Sequence, residues 1–466
     1  MTNENRLPVP KRSIATTVEL SVFLNILSFS LAAPALSNII LYRTCVHALN
    51  YTEDKCRPYL SPVKSNETSD IEHEVQKYST YVSTAKIVLE YIFPAFLALF
   101  LGVWSDTYGR KPLIVWPLFG MSISTFLMVI FSMMDSLGPW WYILTAMPYS
   151  ITGGFVVFFT GTYCFVSDTS SPSSTAIRMT LVDTFMSLGS VVGAFGSTYL
   201  IQILGNTYLL LLSATISAIS YAFTNIYIME SLTGALQNGF TKIFDFLLVK
   251  EMVSECLKER PNHGRAQIFL VAINGFLIIM IVLGVSSLEY LYTRQLLHWS
   301  LRDYTTYSSV TTSVSFVASI LGVMVIQKIL RIGDIIFAIF AVMTGTVESL
   351  IKLFANQTWH MYLGSTIAMF KGLTGALIRS FLSKTLPQED IAKVFALMST
   401  LESFGPIIAP IMFNSLYAMT LVTFPGAIYC LSSLMFGTCV ILLGHVQYFS
   451  WKGRSNYSTF ENDIDT

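Results

Sequence analysis

Residues 102–112 read GVWSDTYGRKP, a run of glycine, charge and proline set between two long apolar segments. The chain has 466 residues, 53% of them hydrophobic and only 12% charged, with a mean hydropathy of +0.59. A soluble domain carries about a quarter charged residues, so this composition predicts a chain whose solvent is a bilayer. A polar run in such a sequence is expensive and needs a reason. Formal net charge is zero, so bulk charge points to neither nucleic acid nor an acidic partner. Six cysteines in this length make no disulfide framework, although Cys45 and Cys56 share one loop and are open to oxidation. The N-terminus, MTNENRLPVPKRS, lacks the short apolar core and small-residue cleavage site of a signal peptide. The first apolar segment is therefore expected to remain as a helix.

A membrane helix needs roughly 20 mostly apolar residues. By that measure spans fall near 17–43, 82–104, 113–134, 141–166, 179–204 and 206–230, then near 267–292, 305–330, 334–355, 359–384, 391–418 and 423–447. The pattern predicts an all-α membrane protein of twelve helices in two six-helix bundles, 17–230 and 267–447. A cytoplasmic N-terminus (1–16), a central loop (231–266) and a tail (448–466) complete the expected division. Within the central loop, Lys242 to Leu257 is amphipathic and reads as a helix lying on the membrane surface.

Lysine and arginine set the orientation. Arg110, Lys111, Arg178, Lys328, Arg331, Lys384 and the five basic residues of the central loop fall on one side, far outnumbering those on the other. Both termini are therefore expected in the cytoplasm. Three sequons, at Asn50, Asn66 and Asn356, fall in predicted outer loops, where glycosylation occurs. Their presence, with mixed charge, makes the 44–80 loop a glycosylated cap rather than a folded domain.

Two six-helix halves joined by a charged loop suggest a transporter built from repeated bundles. GVWSDTYGRKP falls in the turn between spans 2 and 3. There it resembles the signature of the major facilitator superfamily, G-x-x-[SD]-D-x-x-G-R-[KR]-[PK]. Gly102 lets a neighbouring helix approach closely. Asp106 is placed to accept hydrogen bonds from Arg110 and from a facing helix N-terminus. Gly109 permits a left-handed turn, and Pro112 starts the third helix where its missing N–H costs nothing. The resemblance implies that this turn latches span 2 against span 11 when the inner gate is shut. A positive-inside loop alone accounts for Arg110 and Lys111 but not for the glycines and Asp106 at these offsets. The corresponding turn of the second half, QKILRIGD (327–334), keeps basic residues and a glycine.

Further stretches resemble the proton-coupled folate transporter family, solute carrier family 46: LGVWSDTYGRKPLIV (101–115), RMTLVD (178–183), LIRSFLSKTLPQEDIAKVFALMSTLES (377–403) and IMFNSLYAMTL (411–421). The resemblance implies a substrate-binding role for Arg379, whose guanidinium suits a carboxylate, with Lys371 extending the positive path. An ion pair with Glu402 is the structural alternative for Arg379. It implies proton coupling at Asp183, since a carboxylate withdrawn from water takes up a proton at mildly acidic pH. Pairing of Asp183 with Arg178 is the alternative there. Glu402, beside a proline-rich stretch, and Glu19 in span 1 are further candidates for coupling; Glu19 also has a structural reading at the membrane edge. Lys86 with Glu90, and Glu348 with Lys352, read as i,i+4 pairs. The second, near the outer surface, is best explained by snorkelling. Two departures stand out: span 7 has Ile281, Val282 and Leu283 where the folate transporter has a histidine, and span 4 has Gly153 and Gly154 before Phe155 where it has an aspartate. Position 298 is His where the family has a cysteine before Trp299, which favours a Cys45–Cys56 bridge. Of the span 4 aromatics, Tyr149, Phe158 and Tyr163 are candidates to stack on a planar substrate.

The function expected is secondary active transport, most simply proton-coupled symport of an anionic, folate-like or other heterocyclic solute by alternating access. The alternatives are an endolysosomal exporter or uniporter of another metabolite, such as a nucleotide or peptidoglycan fragment, and a non-transporting receptor on the same fold. No P-loop, GxSxG or HExxH sequence is present, so neither an ATP-driven pump nor an enzyme is expected. The partners expected are a small molecule, protons as coupling ion and the lipid bilayer, with no metal, no other cofactor and no nucleic acid, for a monomer or weak oligomer. A tyrosine-x-x-bulky motif at Tyr457 leaves the plasma membrane and the endolysosomal membrane both open.

Overall fold

The computed structural model describes residues 17–60, 69–171, 174–232, 263–299, 301–420 and 423–464, with isolated positions between 246 and 260. Asn66 and most of the amphipathic segment at 242–257 lie outside the described residues. Among the described residues the regular structure is helical: α1 (Thr17–Arg43), α2 (Ser69–Tyr108), α3 (Lys111–Met133), α4 (Ala146–Ile151), α5 (Gly154–Thr169), α6 (Thr175–Leu204) and α7 (Asn206–Tyr227). The second half continues with α8 (Gly264–Leu296), α9 (Leu301–Gly322), α10 (Asp334–Leu353), α11 (Thr358–Ile367), α12 (Thr374–Thr385), α13 (Gln388–Glu402), α14 (Gly405–Thr420) and α15 (Ala427–Ile464). Eleven helices are long and apolar enough to cross a membrane, or twelve if the bent pair across residues 368–373, with its 41° angle, counts as one span.

Helices α1 to α7 pack mainly on one another, as do α8 to α15. In the first half α1 lies against α6 and α7, and α3 against α5 and α7. Close approach of α1 and α6 rests on Gly189 and Gly193, one turn apart. A Cβ on Gly189 would meet the Phe23 carbonyl at 2.8 Å, and one on Gly193 would meet the Leu27 carbonyl at 3.0 Å. This small-xxx-small spacing supplies backbone packing where lipid offers no hydrophobic drive. Buried hydroxyls bind α1 to α7: Ser28 Oγ donates to the Ser213 carbonyl at 2.8 Å, and Thr224 Oγ1 donates to Ser21 Oγ at 2.7 Å. In the second half, Asn274 Nδ2 of α8 donates to the Cys439 carbonyl of α15 at 3.1 Å.

The halves meet through α13 on α2 and α5, α12 on α6, and α9 on α6. Two faces can be told apart. One carries the Gly102–Pro112 turn and is here the latch face; the other carries the 44–60 segment. On the latter, the turns Thr44–Ala48, Glu53–Cys56 and Arg57–Leu60 close a small core around Cys45, Cys56, Tyr59 and Val75. Beyond these turns, α2 begins at Ser69, and Asn206 Nδ2 donates to the Leu60 carbonyl at 2.9 Å. Cys45 and Cys56 are joined by a disulfide, their Cα atoms 5.7 Å apart. Asn50 and Asn356 are exposed on this face.

Closing so short a loop removes about 3 kcal/mol of unfolded-state entropy. Cys45→Ser and Cys56→Ser are each expected to lower the thermal midpoint of the purified protein. The double variant should fall no further than either single one. Additive losses in a melting experiment would show that the two sulfurs act separately.

Candidate functional site

The latch turn is built from close packing and charge. Gly102 lies directly beneath Ala396 of α13, and a Cβ there would collide with the Ala396 side chain. Thr400 Oγ1, one turn along α13, reaches the Ala95 carbonyl of α2 at 3.4 Å. Gly109 has φ +110, a conformation that side chains resist. Its neighbour Arg110 is 2% exposed; its Nε lies 3.1 Å from Asp168 Oδ2 and its Nη1 donates to Ser105 Oγ at 2.6 Å. Glu230 then caps the start of α3, accepting from the backbone N–H of Arg110 at 2.7 Å and of Lys111 at 3.0 Å. An acid at a helix N-terminus is favoured by the exposed N–H groups and the helix dipole. The side chain of Asp106 lies outside the described residues. Asp168 and Glu230 are the partners that the motif itself does not reveal.

The second-half turn is held differently. Asp334, at the start of α10, accepts from Gln327 Nε2 at 2.7 Å, Ser380 Oγ at 2.9 Å and Lys384 Nζ at 2.7 Å. Nearby, Arg260 Nη2 binds Asp390 Oδ2 at 2.9 Å, tying the end of the central loop to the first turn of α13.

Between the halves sits a four-residue cluster. Arg379 of α12 donates from Nη2 to Glu402 Oε2 of α13 at 2.6 Å. The same guanidinium lies 4.4 Å from the centre of the Tyr163 ring of α5, a cation–π distance. Tyr163 in turn donates its hydroxyl to Asp183 Oδ1 of α6. Glu402 also closes on α8, where a Cβ at Gly275 would meet its Oε1 at 2.7 Å. Thus charge and one ring link α5 and α6 of the first bundle to α12 and α13 of the second. Arg379 and Glu402 are 12% and 15% exposed. One turn towards the latch face, Ser167 of α5 and Ser383 of α12 share a hydrogen bond.

The remaining sequence candidates fall elsewhere. Arg178 turns to Glu19 at 3.4 Å and to Thr169 Oγ1 at 2.8 Å, while the described partner of Asp183 is Tyr163. Glu19, in the first turn of α1, is 1% exposed, and its second oxygen has no hydrogen-bond partner among the described residues. Of the span 4 aromatics, Tyr149, Phe158 and Tyr163 all belong to the packed core, and Tyr163 also enters the cluster. Lys86 and Glu90 are indeed in contact with each other, 12% and 15% exposed.

Lys371 does not join Arg379. Its ammonium contacts Glu348 Oε2, nearer the disulfide face. The snorkelling expected of Glu348 and Lys352 is corrected by their environment. Both are 4% exposed, because Glu289 of α8 supplies a second carboxylate, 2.9 Å from Lys352 Nζ, and draws the ammonium inward. Glu289 is a residue the sequence reading missed; an apolar helix gave no signal that its one acid faced a lysine two spans away.

Three comparisons bear on this arrangement. The sequence profile described as Major Facilitator Superfamily matches residues 18–410. The chain is 28% identical, over 91% of its length and 84% of the other's, to a Drosophila melanogaster protein described as a probable peptidoglycan muropeptide transporter of solute carrier family 46. It is 24% identical to the proton-coupled folate transporter of Bos taurus, covering 93% of each chain. Its fold is that of the human organic anion transporter MFSD10, with a TM-score of 0.74 at 16% identity over 93% of this chain and 100% of that one.

The packing at Gly102 generates a test. Gly102→Leu cannot coexist with the observed approach of Ala396, so it is expected to disfavour the closed latch. In a cysteine-free background, maleimide labelling at Thr400→Cys from the latch face should speed up by about tenfold or more. An unchanged rate would mean that the latch does not depend on this contact.

Proposed function

The chain belongs to the major facilitator superfamily, and from that premise we propose that it is a proton-coupled symporter of an anionic organic solute, working by alternating access. The observation that carries this reading is the charge sum of the cluster between the bundles. Arg379 is positive while Glu402 and Asp183 are carboxylates, so two acids share one base. One proton makes the sum zero, and Asp183, whose carboxylate among the described residues is bound by the neutral Tyr163 hydroxyl, is the acid placed to take it. A carboxylate solute competes with Glu402 for the planar, five-donor guanidinium of Arg379. Engaging Arg379 this way loosens the link between α12 and α13, the two helices that also meet α6 and α2 at the latch face. Proton and substrate therefore act on the same seam.

The descriptions of the relatives support this reading: one is a proton-coupled folate transporter and another a probable muropeptide transporter. The basic latch turn favours a cytoplasmic latch face, with both termini in the cytoplasm. The opposite face then bears the Cys45–Cys56 disulfide and the Asn50 and Asn356 sequons. Plasma and endolysosomal membranes both fit that orientation. No cofactor beyond the proton enters the scheme.

The test is uptake into vesicles of a panel of labelled organic anions at about pH 5.5 and about pH 7.4. Acid should stimulate uptake of at least one compound, and Asp183→Asn should blunt that stimulation. Arg379→Ala strands Glu402 and is expected to destabilise by about 3–5 kcal/mol as well as to stop transport. Arg379→Ala with Glu402→Gln should recover the stability and not the transport. Recovery of both would reduce Arg379 to a structural ion-pair partner, and correctly inserted protein without pH-dependent uptake of any anion would end the symport reading.

A further inference from the structure

A second charged cluster lies inside the α8–α15 bundle, towards the disulfide face. Glu348 of α10 is bound on both oxygens. Its Oε1 takes Lys352 Nζ at 2.7 Å and Ser365 Oγ of α11 at 3.2 Å, and its Oε2 takes Lys371 Nζ. Lys352 also bonds Glu289 Oε1 at 2.9 Å, an oxygen that accepts from Tyr307 of α9 at 3.4 Å and Tyr429 of α15 at 3.2 Å. The Lys352 ammonium lies 5.6 Å and 5.9 Å from the centres of those two rings. Two acids and two bases therefore sum to zero in a site from which water is largely excluded.

The four charges are not equally fixed. Glu348 and Lys352 are 4% exposed and Glu289 is 15%, but the Lys371 side chain is 40% exposed. Lys371 opens a single turn of tighter helix, Lys371–Leu373, at the 41° break between α11 and α12. Broken spans are where transporters expose polar groups to an aqueous path. An ammonium turned to lipid at such a depth is strongly disfavoured, so the open flank of Lys371 is the side that meets solvent and solute.

We propose that Glu348 is a second proton acceptor, which takes up a proton as Lys371 leaves it for the carboxylate of an incoming anion. This rests on the reading that the substrate is an anion. The balance is simple. An anion alone would bring the cluster to a net charge of −1 in a poorly solvated site. A proton from water on Glu348 Oε2 returns it to zero, while the Lys371 N–H turns from that oxygen to the oxygen of the solute. Lys352 and Ser365 keep Oε1 in place throughout, so the exchange needs no rearrangement of α10. The other charged groups on neighbouring elements are already engaged: Glu289 by Lys352, Arg379 by Glu402, and Asp334, at the far end of α10, by Lys384. Lys371 then captures the anion before Arg379 receives it, eight residues further along the same span.

The test uses the full chain in lipid nanodiscs in weakly buffered solution, with benzoate as the probe and uncharged benzamide as its control. A pH-indicator dye reads proton uptake on mixing. The parent should take up protons with benzoate and none with benzamide. Glu348→Gln, which keeps the shape and the contacts to Lys352 and Ser365, should bind benzoate at neutral pH at least as tightly with the linked uptake lost. Lys371→Met should lose binding and uptake together, and Lys371→Arg should restore both. Asp183→Asn should keep the uptake. No benzoate-linked uptake by the parent, or uptake that survives Glu348→Gln, overturns the inference. Uptake abolished by Asp183→Asn and not by Glu348→Gln would place the proton in the central cluster, leaving the symport function standing and this inference refuted.

Discussion

A charge placed at the centre of a bilayer-spanning helix costs roughly 2.5–3.5 kcal/mol even on insertion scales, and the rest of this structure is arranged around that cost. Arg379 lies against Glu402, Arg110 against Asp168, Lys352 between Glu289 and Glu348, and Lys86 beside Glu90. Apart from Lys352–Glu348 and Lys86–Glu90, each within one helix, these pairs bridge separate elements, so compensating a charge also fixes which elements are neighbours. Removing one partner strands the other, which is far more damaging than replacing both. Pairing thus constrains the bundle more than hydrophobic burial does, because lipid is as apolar as leucine.

Packing supplies what charge cannot. The approach of α2 to α13 depends on the absence of a side chain at Gly102, and that of α1 to α6 on Gly189 and Gly193. The first contact joins the two bundles and the second lies within one bundle. An interface set by backbone approach is either closed or open, with little between, since a small separation forfeits much of the dispersion energy. Three of the spans that meet across the halves are interrupted. Gly153 and Gly154, both with positive φ, separate α4 from α5; a turn at 403–404 separates α13 from α14; and Lys371–Leu373 lies between α11 and α12. Rigid pieces joined at such breaks let one bundle tilt on the other without unfolding a span.

The span count, the helical class and the latch turn were legible because each is a local property. Span length is a run of apolar residues, and Gly102, Gly109 and Arg110 signal by their offsets. Arg379 and Glu402 were foreseen as a pair, but most other partners distant in the chain were not. Asp168 and Glu230 lie 58 and 120 residues from Arg110, and nothing near either residue announces the pairing. Glu348 and Lys352 looked self-neutralising because they are four apart, and only the fold brings Glu289, Ser365 and Lys371 to them. Arg379 and Asp183 were found through resemblance, whereas their meeting through Tyr163 required the two bundles to be assembled.

The two charged clusters share a logic that local pairing does not explain. The central one holds two acids and one base, the other two of each. The first is neutral only with a proton, and the second stays neutral on binding an anion only if a proton comes too. In a medium of low polarity, neutrality is the condition for a cluster to be buried and a gate to close over it. At the second cluster, binding the anion without the proton, or the proton without the anion, leaves an uncompensated charge. A carrier built this way needs no lever between its binding sites, because the cost of a stranded charge already links cargo and proton to the closing of the seam.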